Sequence, residues 1–370
     1  MADLEYDAIL VDTSIFDGNG LRLESGLLGK LKQFSESPVD FLMPDVICNE
    51  IQSHLDKKIR VSRNALEKSI NDANDHLFFD GSALNDAKKL IVESSEVEGL
   101  AKSRLDQFIS DTGALIIDCD DYVSVKDLLG KYFQNEPPFS ETGKKKNEFP
   151  DAIILFAVES WAEQEGKIVL AVAKDKDWEA YCEDSENIDY TEDLSEGLSK
   201  FNATTVPYAL LDNLKTALEQ EKAAQFLSRV ESGLEFTLDG FTPDQEAESQ
   251  FYWEPDGSNG KFKRFELYDS NLRVIDTDEN WVVIEVWANI TVEVEGEFSL
   301  SVHDSIDRDY VSLGGVSVTT EAEFESEILI TVSGDLNGDI NELDIEEVEV
   351  VNPITSINFG SLEPDYGDYE

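Results

Sequence analysis

The sequence is poor in basic residues, histidine and cysteine, and each shortage counts against a class of protein. Its 370 residues hold 80 Asp and Glu against 29 Lys and Arg, a formal net charge of −51. This charge opposes long-range attraction of a polyanion. The three cysteines have no paired spacing, which argues against a disulfide framework. The three histidines do not cluster, so we expect neither a zinc site nor histidine-based catalysis.

Long apolar runs are also missing. No stretch approaches the roughly 20 apolar residues needed to cross a bilayer. The first residues show neither the basic nor the apolar region of a signal peptide. Together with the few cysteines, this predicts a soluble, cytoplasmic protein with no membrane partner.

The acidic residues are spread along the whole chain. Residues 231–370 hold 35 acidic and 5 basic residues, a net charge of −30, which leaves −21 for residues 1–230. A host living at high salt would explain this, because salt screens the repulsion. Alternatively, the acidic second half docks a basic protein partner or competes with nucleic acid. The even spread favours the first explanation, and both stay open.

The hydrophobic pattern changes its period along the chain and predicts two domains. Apolar runs at 8–11, 39–43, 114–118 and 168–173 alternate with helical patterns, which is typical of a doubly wound parallel α/β sheet. After Gly233 the period becomes two, which predicts an antiparallel all-β sandwich or barrel. The predicted parts are an α/β domain over 1–207, a linking helix over 208–232, a β domain over 233–361 and an acidic tail over 362–370.

The β half contains several turn signals between its apolar segments. We therefore expect many short strands rather than a few long ones. The signals are Pro255-Asp256-Gly257, Asn259-Gly260, Glu295-Gly296 and Asn337-Gly338.

Four acidic residues stand where an α/β sheet would bring them together. Asp12 follows the first apolar run, and Asp175 stands two residues past the run that ends at residue 173. Asp151 follows Pro150 and opens a helical pattern, and Glu50 lies about one turn into another helix. Ligands of such sheets bind beyond the carboxyl ends of the strands. Clustered carboxylates there repel one another unless divalent cations neutralise them, so the layout favours a metal-dependent phosphodiester-cleaving site.

Four short motifs in order resemble those of a PIN-like nuclease domain, over roughly residues 1–205. The closest-looking members are bacterial and archaeal PIN-like domains with a helical insert after the glutamate. The rest of the chain resembles no family. The motifs are Val11-Asp12-Thr13-Ser14, Pro44-Asp45-Val46-Ile47-Cys48-Asn49-Glu50-Ile51, Phe149-Pro150-Asp151-Ala152-Ile153-Ile154 and Ala173-Lys174-Asp175-Lys176-Asp177-Trp178.

The resemblance and the carboxylate layout imply a divalent-metal-dependent endonuclease. Mg²⁺ or Mn²⁺ would be bound by Asp12, Asp151 and Asp175, with Glu50 binding directly or through water. Asp177 is an additional candidate ligand that the resemblance also allows in a supporting position. Further candidates are Thr13 and Ser14, whose hydroxyls would hold a carboxylate or the phosphate.

Basic residues are few enough for their positions to be informative. Lys57 follows Glu50 by seven residues, which places both on one helix face. These residues would grip phosphates next to the scissile bond, although solvated lysines balancing nearby acids explain them equally well. The candidates are Lys57, Lys58, Arg60 and Arg63 in one group and Lys144, Lys145 and Lys146 in another.

Three functions remain open. The first is a nuclease acting on RNA in preference to DNA, as the resemblance implies, in RNA processing, as a toxin or in phage defence. The second is a PIN-like binding or scaffold protein that no longer cleaves. All four matching acids are retained in the sequence, which counts against this function. The third is a flap-type DNA nuclease, although no helical arch or helix–hairpin motif is evident. A homo-oligomer is also left open.

Overall fold

The computed structural model describes residues 5–77, 86, 96–139, 148–202, 205–268, 272–278, 280–304 and 309–364. The chain divides into two compact units, Met1–Ala203 and Thr204–Glu370. The segment 208–232, which the sequence predicts as a link between domains, therefore falls within the second unit. In the described part of the chain, no helix is long and apolar enough to cross a membrane.

The first unit is built on a five-stranded sheet whose strands are all parallel, in the order β3-β2-β1-β4-β5. This confirms the predicted doubly wound α/β sheet. Four strands match the predicted apolar runs, and β5 was not predicted. The strands are β1 (Ala8–Val11), β2 (Asp40–Pro44), β3 (Leu115–Ile117), β4 (Val169–Val172) and β5 (Ile188–Thr191).

Helices connect these strands and enclose the core. After β2 the described residues are helical over Asp45–Leu77 and Val97–Thr112. The helices are α1 (Thr13–Gly18), α2 (Gly26–Gly29), α3 (Asp45–Leu77), α4 (Val97–Thr112), α5 (Val125–Gln134), α6 (Phe149–Glu165), α7 (Lys176–Cys182) and α8 (Leu194–Phe201), with 3₁₀ turns at Lys30–Glu36 and Cys119–Asp121.

The topology places a binding edge beside the central strand. All side chains of β1 and β4 are buried, and these neighbours lead into α1 and α7 respectively. The chain order reverses between them, because β2 and β3 lie on one side of β1 while β4 and β5 lie on the other. Such a reversal opens a crevice at the carboxyl ends of the strands. The predicted acids following β1 and β4 are therefore delivered to one edge.

The second unit contains a five-stranded antiparallel sheet, in agreement with the predicted β domain. Two helices and a two-stranded parallel sheet of β6 and β12 contribute to the same apolar core as its inner face. The elements are α9 (Thr205–Glu219), α10 (Ala224–Leu238), β6 (Asp244–Ser249), β7 (Tyr252–Leu267), β8 (Arg273–Thr277), β9 (Trp281–Asp304), β10 (Asp309–Ser333), β11 (Asp344–Val350) and β12 (Ser356–Leu362), with a 3₁₀ turn at Ile340–Glu342.

Where the sequence pattern suggests one helix from residue 208 to about 231, the structure has α9 and α10. The chain turns between them at Glu221, which adopts a left-handed φ of 53°. Leu214 of α9 and Phe226 and Val230 of α10 are buried in the core of this unit. The helices therefore supply a layer of the second unit.

The expectation of many short strands was wrong, because three of the turn signals lie inside long strands. Gly260 lies in β7 and Gly296 in β9. A methyl group on Gly260 would overlap the ring of Phe241, and one on Gly296 would lie 2.7 Å from the ring of Phe359. These glycines make room for aromatic rings packed against the strands. Glycine within a strand can therefore mark the close approach of another group and not only a turn.

Candidate active site

Asp12 stands at the junction between β1 and α1 and is only 5% exposed. Its carboxylate caps α1 by accepting a hydrogen bond from the Ser14 backbone N–H at 2.9 Å. Burial raises the pKa of Asp12 above its ordinary value, although hydrogen bonds to its carboxylate act in the opposite direction. The negative charge of Asp175 adds to the rise. Asp12 is thus a desolvated carboxylate that another acid already influences.

Thr13 and Ser14 tie three segments together around Asp12. The Thr13 hydroxyl donates to Oε2 of Glu50 at 2.8 Å, which joins α1 to α3. The Ser14 hydroxyl oxygen accepts from the Lys174 backbone N–H at 3.1 Å, which joins α1 to the segment after β4. In this structure the Thr13 hydroxyl therefore restrains the carboxylate of Glu50.

Asp151 lies in the first turn of α6, where Pro150 is compatible with the helix start. The indole N–H of Trp178 donates to Oδ1 of Asp151 at 3.1 Å. Burial raises the pKa of Asp151 to about 7, and the charges of Asp12, Asp175 and Glu50 contribute to this rise. The hydrogen bond from Trp178 lowers the pKa and offsets part of it. Asp151 is thus within electrostatic reach of the other three predicted acids.

Asp175 and Asp177 lie at the start of α7. The carboxylate of Asp175, which is exposed, caps this helix by accepting from the Asp177 backbone N–H at 2.7 Å. Burial, together with the charges of Asp175 and Glu148, raises the pKa of Asp177. Asp177 is therefore electrostatically coupled to the cluster through Asp175.

The donor chemistry of this cluster fits a hard divalent cation, because carboxylate oxygens are the ligands that Mg²⁺ and Mn²⁺ favour. Burial and mutual repulsion both disfavour the ionised acids, and a bound cation would offset that repulsion. Among the described residues, however, no group of three or more His, Cys, Asp or Glu is arranged so that it could already hold a metal ion. The side chains would have to reorient to bind one.

The predicted basic residues differ in their surroundings. Lys57 and Lys58 are exposed on α3. Arg60 is bound to Asp56 on the same helix at 2.7 Å, and Arg63 is bound to Glu67 at 2.9 Å, so both balance neighbouring acids. The other predicted group, Lys144, Lys145 and Lys146, lies outside the described residues.

Two residues at this site were missed by the sequence reasoning. Trp178 is fully buried and holds Asp151, yet in the sequence it is only the apolar residue that ends a motif. Glu148 is 8% exposed and acts on Asp177, although it stands in the sequence at the end of a polar segment. The position of Glu148 three residues before Asp151 was the one available signal, since residues three apart share a helix face.

One comparison with known proteins finds a match. A family model described as a PIN domain matches residues 9–178, which spans all five predicted acids, and no family model matches the second unit. No curated protein and no solved structure matches the chain. PIN domains are generally nucleases and their fold implies nucleic-acid binding. The first unit of this chain is therefore a PIN-like domain, followed by an antiparallel β unit of no matched family.

Proposed function

We propose that the protein is an Mg²⁺- or Mn²⁺-dependent endonuclease that hydrolyses phosphodiester bonds, with RNA favoured over DNA. The catalytic acids would be Asp12, Glu50, Asp151 and Asp175. The observation that carries the proposal is the meeting of these acids at one sheet edge: Thr13, next to Asp12, binds Glu50 at 2.8 Å, and the charges of the other three acids act with burial to raise the pKa of Asp151 to about 7. Perturbed acids that share a sheet edge are typical of functional sites.

The surrounding residues prepare these acids for cation binding. Trp178 restrains one oxygen of Asp151, while Thr13 restrains one oxygen of Glu50. Asp12 is fixed by its bond to the start of α1. These bonds keep the acids at the shared sheet edge, so the reorientation that a cation requires would be local.

A bound divalent ion would supply an activated water and stabilise charge on the attacking and leaving oxygens. The chain's own part is to hold Asp12 and Asp151 at the sheet edge, where burial raises the pKa of both and a bound cation would favour their ionised forms. Asp151 is close to half ionised at pH 7, because its pKa is about 7. We expect cleavage to rise with pH through this region.

The preference for RNA and the Mg²⁺ or Mn²⁺ requirement come from the resemblance to PIN-like domains. The biological settings remain RNA processing, a toxin or phage defence.

The experiment is a cleavage assay with end-labelled single-stranded RNA and single-stranded DNA of one sequence. Each is incubated with Mg²⁺, with Mn²⁺, or with EDTA. The proposal expects internal cuts in RNA with either metal, slower cutting of DNA and none with EDTA. Cleavage that persists in EDTA would contradict metal dependence, and faster cutting of DNA would contradict the substrate. A folded protein that cuts neither would favour the non-cleaving PIN-like alternative.

A further inference from the structure

Helices α1 and α3 lie side by side and contact each other at successive turns. Thr13 bonds to Glu50 at 2.8 Å, and Asp17 pairs with His54 at 2.9 Å. The next contact brings Lys58 beside Gly20, at the end of α1. Each step advances three or four residues, the spacing of neighbours on a helix face. We call this line of contacts between the two helices the α1–α3 seam. It leads from the acidic cluster to the far end of α1.

Three cations meet at that end, around two glycines. A methyl group built on Gly20 would have Nε of Arg22 at 3.8 Å and Nζ of Lys58 at 3.9 Å as its nearest charged atoms. One built on Gly18 would lie 3.3 Å from Nζ of Lys174. The cations come from separate segments: the loop after α1, helix α3 and the residue before Asp175. We call Arg22, Lys58 and Lys174 the basic rim.

The glycines keep the space above the turn open. Gly20 has a φ of 67° and Leu21 a φ of 56°, so the chain reverses sharply here. The turn is fixed by backbone hydrogen bonds from Gly20 to Asp17 and from Leu21 to Phe16, both at 2.9 Å. The absence of side chains at Gly18 and Gly20 lets the ammonium groups of Lys174 and Lys58 lie close to the backbone of this turn.

The two lysines of the rim differ from several other cations of the first unit. Arg60, Lys32, Arg104 and Lys167 all bind carboxylates. Within the described part of the chain, Lys58 and Lys174 have no carboxylate within 4 Å. Both are exposed. In a chain with a net charge of −51, two such ammonium groups directed at one turn form a local site for an anion.

We propose that the basic rim binds the phosphate backbone of the nucleic-acid strand on one side of the scissile bond. Helix α1 has six residues, and at 1.5 Å per residue it spans about 9 Å between Asp12 and the rim. A strand cut at the acidic cluster would then follow the α1–α3 seam. The inference rests on the proposed nuclease function, for which it identifies the direction of the substrate.

The experiment measures binding of a labelled single-stranded RNA by fluorescence polarisation, in EDTA, over a series of salt concentrations. The test variant is Lys58→Gln with Lys174→Gln. Arg22 is left intact because its Nε donates to the carbonyl of Asn19 and supports the turn. The matched control is Lys167→Gln with Lys200→Gln, which removes the same charge from the opposite edge of the sheet, near Asp40 and Tyr6.

We expect the test variant to lower the slope of log affinity against log salt by about 1.4, since each phosphate contact to a single strand contributes about 0.7. The control should keep the wild-type slope. Circular dichroism and the melting temperature check that both variants fold. An unchanged slope and affinity in the folded test variant would overturn the inference, as would an equal loss in the control.

Cleavage measured in parallel separates this inference from the function on which it rests. If the wild type cleaves RNA and the test variant binds RNA with unchanged affinity and slope, the proposal that the basic rim binds phosphates is wrong. The proposed nuclease function is then unaffected. If the wild type binds without cleaving and the slope falls only in the test variant, the nuclease function is wrong while the rim stands. If the wild type neither binds nor cleaves RNA, both are wrong.

Discussion

The indole N–H of Trp178 donates a hydrogen bond to Oδ1 of Asp151 at 3.1 Å. This bond links α7, which follows β4, to the first turn of α6. Trp178 is fully buried, so the direction of the bond is fixed by packing. A donor aimed at a carboxylate favours the ionised form, and this bond works against the burial that raises the pKa of Asp151.

We expect Trp178→Phe to raise the pKa of Asp151 further and to move the acid limb of the pH–rate profile to higher pH. Losing a hydrogen bond to a charged group should also destabilise the fold by about 1–3 kcal/mol. The measurement is kcat/KM between pH 5.5 and 9. The matched control is Trp161→Phe in the same unit, at a tryptophan that is 4% exposed. If both variants keep the wild-type profile, Trp178 has only a packing role.

We expect Thr13→Val to weaken metal binding, since Glu50 would lose the hydroxyl that holds it at 2.8 Å. Removing a residue that positions a ligand typically costs about 10–100-fold in metal affinity or activity. Mn²⁺ titration by calorimetry measures the affinity. Thr112→Val is the control, because Thr112 is also buried and donates to the Phe108 carbonyl at 2.8 Å. Equal Mn²⁺ affinity in the two variants would argue against a role for Thr13 at the site.

The stability of the metal-free protein should contain a pH-dependent contribution from Asp151. Its pKa rises from an ordinary value of 3.8 to about 7 in the fold, so between these values the folded state binds more protons than the unfolded state. The contribution of Asp151 is therefore favourable at low pH and is lost as pH rises through about 7. Asp151→Asn removes it.

The readout is the difference in melting temperature between wild type and Asp151→Asn in EDTA, from pH 4 to pH 8. We expect the melting temperature of the variant to rise relative to that of the wild type as pH increases. The difference should change by about 2–4 °C for each kcal/mol of stability in a domain of this size. A difference that stays constant with pH would show that Asp151 is not perturbed in the way described.

The second unit should bind nucleic acid weakly or not at all. Lys261 pairs with Glu293 at 2.7 Å, and Arg264 pairs with Glu323 at 2.7 Å. Lys263 contacts both Glu293 and Glu321. These contacts neutralise three of the few basic residues of this unit that could bind a phosphate backbone.

The test is polarisation with labelled RNA and DNA and a segment of residues 204–370, with residues 1–203 as the comparison. We expect no binding by 204–370 tighter than about 10⁻⁴ M at physiological salt. Micromolar binding by this segment would refute the prediction. Faster cleavage by 1–203 than by the whole chain would favour a competing role for the acidic unit over the high-salt explanation.

The first unit could be predicted well because its signals are local. Buried parallel strands appear as continuous apolar runs, as in Ala8–Val11, and an acid that follows such a strand lies at the binding edge. The strand β5 was missed because Ile188–Thr191 is not a continuous apolar run and includes the exposed Asp189. Its identity as a strand depends on pairing with β4, which the sequence does not show.

The features that could not be predicted all depend on contacts between distant residues. Trp178 meets Asp151 across 27 positions, and Lys58 meets the turn at Gly20 across 38. Gly260 and Gly296 imitate turn signals, since a glycine that makes room for a ring looks the same in a sequence as one that bends the chain. Only the packing of Phe241 and Phe359 distinguishes them.

The most direct test of the carboxylate site is single-turnover cleavage of labelled RNA by Asp12→Asn and Asp151→Asn, with Mg²⁺ or Mn²⁺. The matched control is Asp121→Asn, at an exposed acid that ends the 3₁₀ turn after β3. Each site variant replaces a carboxylate by a neutral amide of nearly the same shape, so we expect folded proteins that have lost cleavage while Asp121→Asn cuts at the wild-type rate. Wild-type cleavage by both site variants would contradict the assignment of the catalytic site to this cluster.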